Sequence, residues 1–243
     1  MGTGRMGRCL AALLRGRCDL MICSRAPHRA EAMARKAGAK ATGTEGCSDR
    51  QVVILAVPNS SLIEVAGKIS CIMRAGSLLV DISSVKCGII DEVDGVIPSG
   101  INYISIHPLF YSPRSREKNT IIVPVRPGVW LSPLMGLLAG AGMRLEVANG
   151  TEHDRAMAAV QVVHHFALLS LKATLTRMGF WGEGDLEPFM TRSLEKSLRV
   201  IRSLERNIAT IEMIQKENGF SQMARAAFLD EAKKLDSYYS KKP

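Results

Sequence analysis

MGTGRMGRCLAALL, residues 1–14, sets Gly2, Gly4 and Gly7 in a G-x-G-x-x-G pattern and runs on into a segment with apolar Leu10, Leu13 and Leu14. Such glycines let a backbone turn tightly against a pyrophosphate at a helix N-terminus, provided a buried strand delivers the chain into the turn. That strand would be five or six apolar residues ahead of Gly2, and Met1 alone stands there. The next apolar run decides the matter. DLMICS (19–24) arrives where a mononucleotide-binding unit needs its second strand.

The alternation then continues. QVVILAVP (51–58), SLLVDIS (77–83), NYISIHP (102–108), NTIIVPV (119–125) and MRLEVA (143–148) read as strands, several almost continuously apolar. Strands buried on both faces of a parallel sheet have that texture. Helical patterns fall between them at 5–15, 28–37, 60–74 and 129–141. The predicted fold class is therefore α/β, a Rossmann-type doubly wound parallel sheet over residues 1–150 with its first strand missing.

From Thr151 no glycine or proline occurs before Gly179, and a second long helix is predicted over 187–208. Residues 151–243 thus form an all-helical domain, with a frayed end at Ser240–Pro243. Its first helix is apolar around most of its circumference, which implies burial on several sides. A homodimer joined through this domain is the expectation.

Bulk properties narrow the function. Apolar residues make up 47% and charged residues 23%, ordinary for a globular protein. No run of about 18 apolar residues suggests a membrane span, and no signal-peptide pattern opens the chain. Six cysteines, at 9, 18, 23, 47, 71 and 87, contain no C-x-x-C pair. They read as reduced core thiols of a cytoplasmic protein, without a metal site. The net charge is +9, yet lysines and arginines are scattered without a basic run or interleaved aromatics. That pattern argues for anionic small molecules over nucleic acid.

The end of the second strand points to the cofactor. An NAD site places an acidic residue there to accept hydrogen bonds from the ribose hydroxyls. This chain has Ser24 and Arg25, with Arg29 one turn on. A carboxylate repels a 2′-phosphate, whereas a hydroxyl and a guanidinium hold it by charge-assisted hydrogen bonds. NADP is predicted over NAD. The predicted cofactor set is Gly2, Thr3, Gly4, Arg5, Met6, Gly7, Ser24, Arg25 and Val57.

Two further strand ends carry reactive groups. VDISSVK (80–86) ends in Ser83, Ser84 and Lys86, and ISIHPLFYSP (104–113) contains His107. Ligands of open parallel sheets bind at the carboxyl ends of the strands, so Ser83, Ser84 and His107 could converge there. A neutral imidazole suits the removal of a hydroxyl proton during oxidation.

With these stretches the chain resembles the prephenate dehydrogenase family of tyrosine biosynthesis. The resemblance runs through GTGRMG, LAVP, DISSVK and HPLFYSP to E-H-D-R…Q…H-F at 152–166, and so covers about the first 180 residues. It implies oxidative decarboxylation of prephenate to 4-hydroxyphenylpyruvate, with hydride transfer to the nicotinamide. It also implies that His107 is the base, Ser84 its partner, and His165 a substrate contact. Gln161, His153 and Ser83 complete the substrate candidates. At 100° per residue Asp154, Gln161, His165 and Lys172 fall within about 20° of a common line on a straight helix, a polar stripe on an apolar surface.

Three features depart from the family pattern. Tyr111 stands where the family more often has glycine. FMTRSLEKSLR (189–199) lacks the usual proline-tyrosine segment, and Glu195 stands nearest the position of a carboxylate-gripping arginine. Arg192, Lys196 and Arg199 are the substitutes. The third is the missing first strand. Arogenate dehydrogenase is the nearest rival reading. A hydroxyacid or imine oxidoreductase with Lys172 as base is another, and a non-catalytic nucleotide-binding dimer is the third.

Overall fold

Met1 occupies the position that a first strand would leave empty. In the computed structural model, which describes residues 1–181 and 186–241, its amine donates to Ile54 O at 2.5 Å. Its carbonyl accepts from Ala56 N–H at 2.7 Å, and Gly2 N–H donates to Cys23 O at 2.8 Å. One residue of extended chain thus bridges two strands that otherwise do not pair.

The strands on either side belong to separate sheets. β1 (Met21–Cys23) and β2 (Lys40–Thr42) form a parallel pair, and β3 (Val52–Leu55), β4 (Leu78–Asp81), β5 (Asn102–Pro108), β6 (Asn119–Arg126) and β7 (Arg144–Val147) form the second sheet in that order. Helices α1 (Arg5–Leu14), α2 (Pro27–Ala37), α3 (Leu62–Ser70), α4 (Ile89–Val96) and α5 (Leu131–Gly140) connect them. β2 and α4 have no counterpart among the predicted elements. Three residues, KAT, carry too little alternation for a strand, and IIDEVDGV is a two-turn helix containing a glycine.

Among the described residues all strand pairs are parallel except β5 with β6. The predicted doubly wound parallel sheet is present, with this one antiparallel pair within it. The ten residues between Pro108 and Asn119 contain no crossover helix, and a parallel return needs one. The sheet is covered on both faces. α1 and α5 pack Leu10, Leu14, Leu134 and Leu138 onto Leu78, Val80, Ile104 and Ile122. α3 and α4 pack Leu62, Ile69 and Val93 onto Leu55, Leu79 and Tyr103.

The cysteines correct another expectation. Cys9, Cys23 and Cys47 are buried and all six are free, but Cys18 and Cys71 are exposed. Those two follow the last turns of α1 and α3, where the chain has left the core.

The chain divides into two compact units, Met1–His153 and Asp154–Pro243. The second is helical: the end of α6 (Gly150–Met157), a π-helical turn at Ala158–Val163, α7 (His164–Arg177), α8 (Arg192–Glu205), α9 (Ile208–Glu217) and α10 (Ser221–Ser240). Asn218 Nδ2 donates to Asp154 O and Gln215 Nε2 to Val162 O, each at 2.8 Å, tying α9 to the first helix of this unit. The expected frayed end falls partly outside the described residues, at 242–243. The Gly150–Arg177 helical run is long and apolar enough to cross a membrane by length and composition, with 28% of its apolar window buried. A core helix of a water-soluble protein passes the same test, and this one buries His153, Asp154, Gln161 and His165.

Candidate active site

The glycine turn has the form that a pyrophosphate requires. Gly2 has φ +111°, and a Cβ there would lie 2.2 Å from Ala56 O. A Cβ on Gly7 would lie 2.3 Å from Gly2 O, so only glycine lets α1 pack this closely. Gly4 faces open space, with no atom within 4 Å of its missing Cβ. Gly4 caps α1 without any side-chain hydrogen bond, and no acidic residue lies in the first turn. The N–H groups of that turn remain available to an anion. Arg8 donates to Thr3 O at 3.0 Å and pins the turn, while Met6 packs into the core below. The residues present fit a dinucleotide pyrophosphate.

The ribose end lies next to it. The Thr3 and Ser24 hydroxyls are 3.4 Å apart, and Ala26 N–H donates to Ser24 Oγ at 3.3 Å. Arg25 and Arg29 are exposed at the start of α2, whose N-terminus also lacks a side-chain cap. Val57 packs against the core just beyond Ala56. Tyr111 stacks on the Arg5 guanidinium, 4.6 Å from ring centroid to Cζ. The departure from glycine at this position therefore places an aromatic ring at the mouth of the turn.

His107 sits at the carboxyl end of β5, on the sheet edge that carries the glycine turn. It is buried, and its Nδ1 lies 2.8 Å from Nε2 of His153. Burial first, then the charge of Lys86 and the neighbouring His153, hold the His107 pKa well below its ordinary value. The imidazole is neutral at physiological pH. Ser84, its expected partner, makes no hydrogen bond to His107. His153, expected at the substrate, occupies Nδ1 instead. Ser83 is turned inward as well, its carbonyl and hydroxyl accepting from Lys86 Nζ at 2.8 and 3.2 Å.

Beneath His107 lies a buried polar cluster of which the sequence marked only Ser83 as a site residue. Lys86 is fully buried and also donates to Ser105 Oγ at 2.6 Å and Ile106 O at 2.8 Å, with Asp81 Oδ1 3.8 Å away. Asp81 accepts from Ser83 N–H and Tyr103 OH, each at 2.7 Å. Burial alone would raise the Asp81 pKa. The Lys86 charge and hydrogen bonds from Ser105, Ser83 and Tyr103 outweigh it, leaving the carboxyl below its usual range. Burial and the Asp81 charge keep Tyr103 protonated. One signal was legible: Asp81 and Ser105 interrupt strands that are otherwise apolar, and buried polar groups require partners.

In the helical unit, Gln161 Oε1 and His165 Nδ1 are buried without a hydrogen-bond partner among the described residues. Burial, then His164, pulls the His165 pKa down to about 4. A π-helical turn interrupts the predicted stripe, and Asp154, Gln161 and His165 are nonetheless all buried. The turn widens the helix at Ala158–Val163, so residues on either side no longer keep the phase of a straight α-helix. Lys172 lies beyond the π turn on the same α7 face as His165, but it is half exposed and ion-paired to Glu205, with the Trp181 ring 5.5 Å away. Arg192, Lys196 and Arg199 are all exposed, and Arg199 pairs with Glu195 at 2.7 Å.

Comparison with known proteins bears on the nucleotide-binding part and on the fold. Residues 10–118 match the family described as the prephenate dehydrogenase nucleotide-binding domain. A probable arogenate/prephenate dehydrogenase of Methanocaldococcus jannaschii is 26% identical over 193 residues, 73% of this chain and 42% of that protein. The 4-amino-4-deoxyprephenate dehydrogenase of Streptomyces pristinaespiralis is 31% identical over 139 residues, 56% of this chain and 45% of that protein. The chain thus spans less than half the length of either curated relative. The fold is shared with prephenate dehydrogenase of Aquifex aeolicus, solved with hydroxyphenyl propionate and NAD+, at a TM-score of 0.80 and 19% identity, covering 97% of this chain and 87% of that one. On that nucleotide-binding match, its relatives and its fold, the chain is similar to the prephenate dehydrogenase family.

Proposed function

We propose that the protein is an NADP-preferring prephenate dehydrogenase, converting prephenate to 4-hydroxyphenylpyruvate and carbon dioxide. The observation that carries this reading is His107, a buried neutral imidazole whose Nδ1 is committed to His153 and which stands on the sheet edge of the glycine turn. For Nε2 to accept a proton, Nδ1 must carry its hydrogen and donate to His153 Nε2. His153 fixes the tautomer that leaves Nε2 basic. The nicotinamide, when bound, accepts the hydride from C4 of the ring. His107 takes the proton of the 4-hydroxyl, the ring carboxylate leaves as carbon dioxide, and aromatisation drives the reaction.

Gln161 and His165 are the candidates for substrate contact in the helical unit, supported by their unsatisfied buried atoms, to which a polar ligand would supply partners. The apolar, largely uncovered Gly150–Arg177 helix supports a homodimer through that unit.

The cofactor preference rests on Ser24 and Arg25 at the end of β1, with no acid between them and α2. Arg25→Ala is expected to raise KM for NADP by about 10–100-fold, the worth of one charge-assisted hydrogen bond, and to leave KM for NAD nearly unchanged. An unchanged ratio of the two constants would remove the 2′-phosphate assignment. Steady-state rates with prephenate, arogenate and 4-amino-4-deoxyprephenate side by side then test the substrate, with prephenate expected to give the highest kcat/KM.

A further inference from the structure

β7 (Arg144–Val147) forms an outer edge of the five-stranded sheet, and among the described residues it pairs only with β6. Arg144 N–H donates to Lys118 O and Ala148 N–H to Ile122 O, each at 3.0 Å. Alternate residues of a parallel ladder bond the same neighbour, so Arg144, Glu146 and Ala148 are committed to β6. The backbone groups of Leu145 and Val147 therefore point away from the sheet, along its free edge. Such a row is a template for another strand unless something blunts it. β7 has no proline, no lysine and no bulge in its register with β6, so three of the usual blocks are missing.

The charges of the strand select what adds to it. Arg144 and Glu146 are exposed and share one face of β7, while Leu145 and Val147 share the other. Neither Arg144 nor Glu146 joins an ion pair among the described residues. A second β7 laid antiparallel, with Leu145 opposite Leu145, sets Arg144 of each copy against Glu146 of the other. In that register Leu145 exchanges both hydrogen bonds with its own counterpart, using the groups that β6 leaves free. Moving the twofold by one residue, onto Glu146, would oppose two carboxylates and turn groups already bonded to β6 toward the seam. A parallel copy in register would set Arg144 beside Arg144. Like charges directly opposite one another are destabilising, so one register is favoured.

Four residues of strand fall short of the about 800 Å² that each partner buries in a stable interface. Apolar surface beside β7 extends the contact: Val129, Leu131, Met135, Ala139, Met143 and Leu145 line a shallow groove along α5. Val129 is 81% exposed and Val147 45% exposed, which a second copy would reduce. We propose that β7 is a self-association edge. A second copy of this chain adds its own β7 antiparallel about a twofold through Leu145, with each Arg144 facing Glu146 of the partner subunit. The same patch serves both copies, so the contact closes on itself and joins the two five-stranded sheets into one. It lies in the first unit and is separate from the homodimer proposed through the helical unit.

The test follows association of the full chain by sedimentation velocity over a range of protein concentrations. Arg144→Glu and Glu146→Arg each set like charges against one another twice per interface. The double variant Arg144→Glu/Glu146→Arg restores the pairing with its signs exchanged. Each single reversal is expected to raise the dissociation constant of one association step by about tenfold or more, and the double variant to bring it back to within about threefold. Tm should stay near the native value in all three, because both side chains are exposed. Hydrogen exchange over residues 144–147 should slow as concentration rises in the native chain and the double variant, and not in the single ones. Equal association of all four proteins, as an interface through the helical unit alone would give, would overturn the assignment. So would a double variant as weak as the single ones, or a native chain that stays monomeric throughout. None of these readouts depends on the reaction.

Discussion

His107→Asn is expected to lower kcat by about 10²–10⁴-fold, the usual worth of a positioned general base, while NADP binding stays unchanged. Asparagine keeps a polar group near His153 but cannot take a proton from the substrate hydroxyl. The pH dependence separates this role from a structural one. A free histidine base would lose activity as pH falls through its ordinary value near 6.5. Here burial, Lys86 and His153 hold His107 deprotonated well below that pH. The acid limb of kcat should therefore lie well below pH 6.5, and it should disappear in the variant along with the rate. An acid limb at 6.5 in the native enzyme would contradict the buried neutral base.

Lys86→Met is expected to have the largest effect on stability. Lys86 is fully buried and bonds Ser83, Ser105 and Ile106 around the Asp81 carboxylate. Removing the ammonium leaves a buried carboxylate with only Ser83 N–H, Ser105 and Tyr103 to hold it. Breaking one side of a buried pair typically costs about 3–5 kcal/mol, here a fall in Tm of about 6–20 °C. The double variant Asp81→Asn/Lys86→Met should recover much of the loss, because no buried charge then remains. Equal melting of the single and double variants would show that the pair is not what the site rests on.

Strand-helix alternation was readable because strands buried on both faces are written as apolar runs. NYISIHP forms β5 with the predicted ends. Strand direction was less visible, since β6 is as apolar as a parallel strand and only the ten-residue link before it rules out a crossover. The glycine turn was readable because backbone geometry forces residue type at Gly2 and Gly7. The His107–His153 pair was not, for its members are 46 residues apart and meet only when α6 follows β7. The sequence reading named both as site residues, His107 as the base and His153 among the substrate candidates, without showing that they meet. A helical wheel puts Lys172 on the face of His165 but cannot show that burial has ended seven residues further along α7, where Lys172 pairs with Glu205.

The most direct measurement gives the purified protein prephenate and NADP and monitors the nicotinamide, carbon dioxide and aromatic product together. NADPH, carbon dioxide and 4-hydroxyphenylpyruvate in equal amounts are the expected result. Tight nucleotide binding with prephenate left unchanged would contradict the assignment.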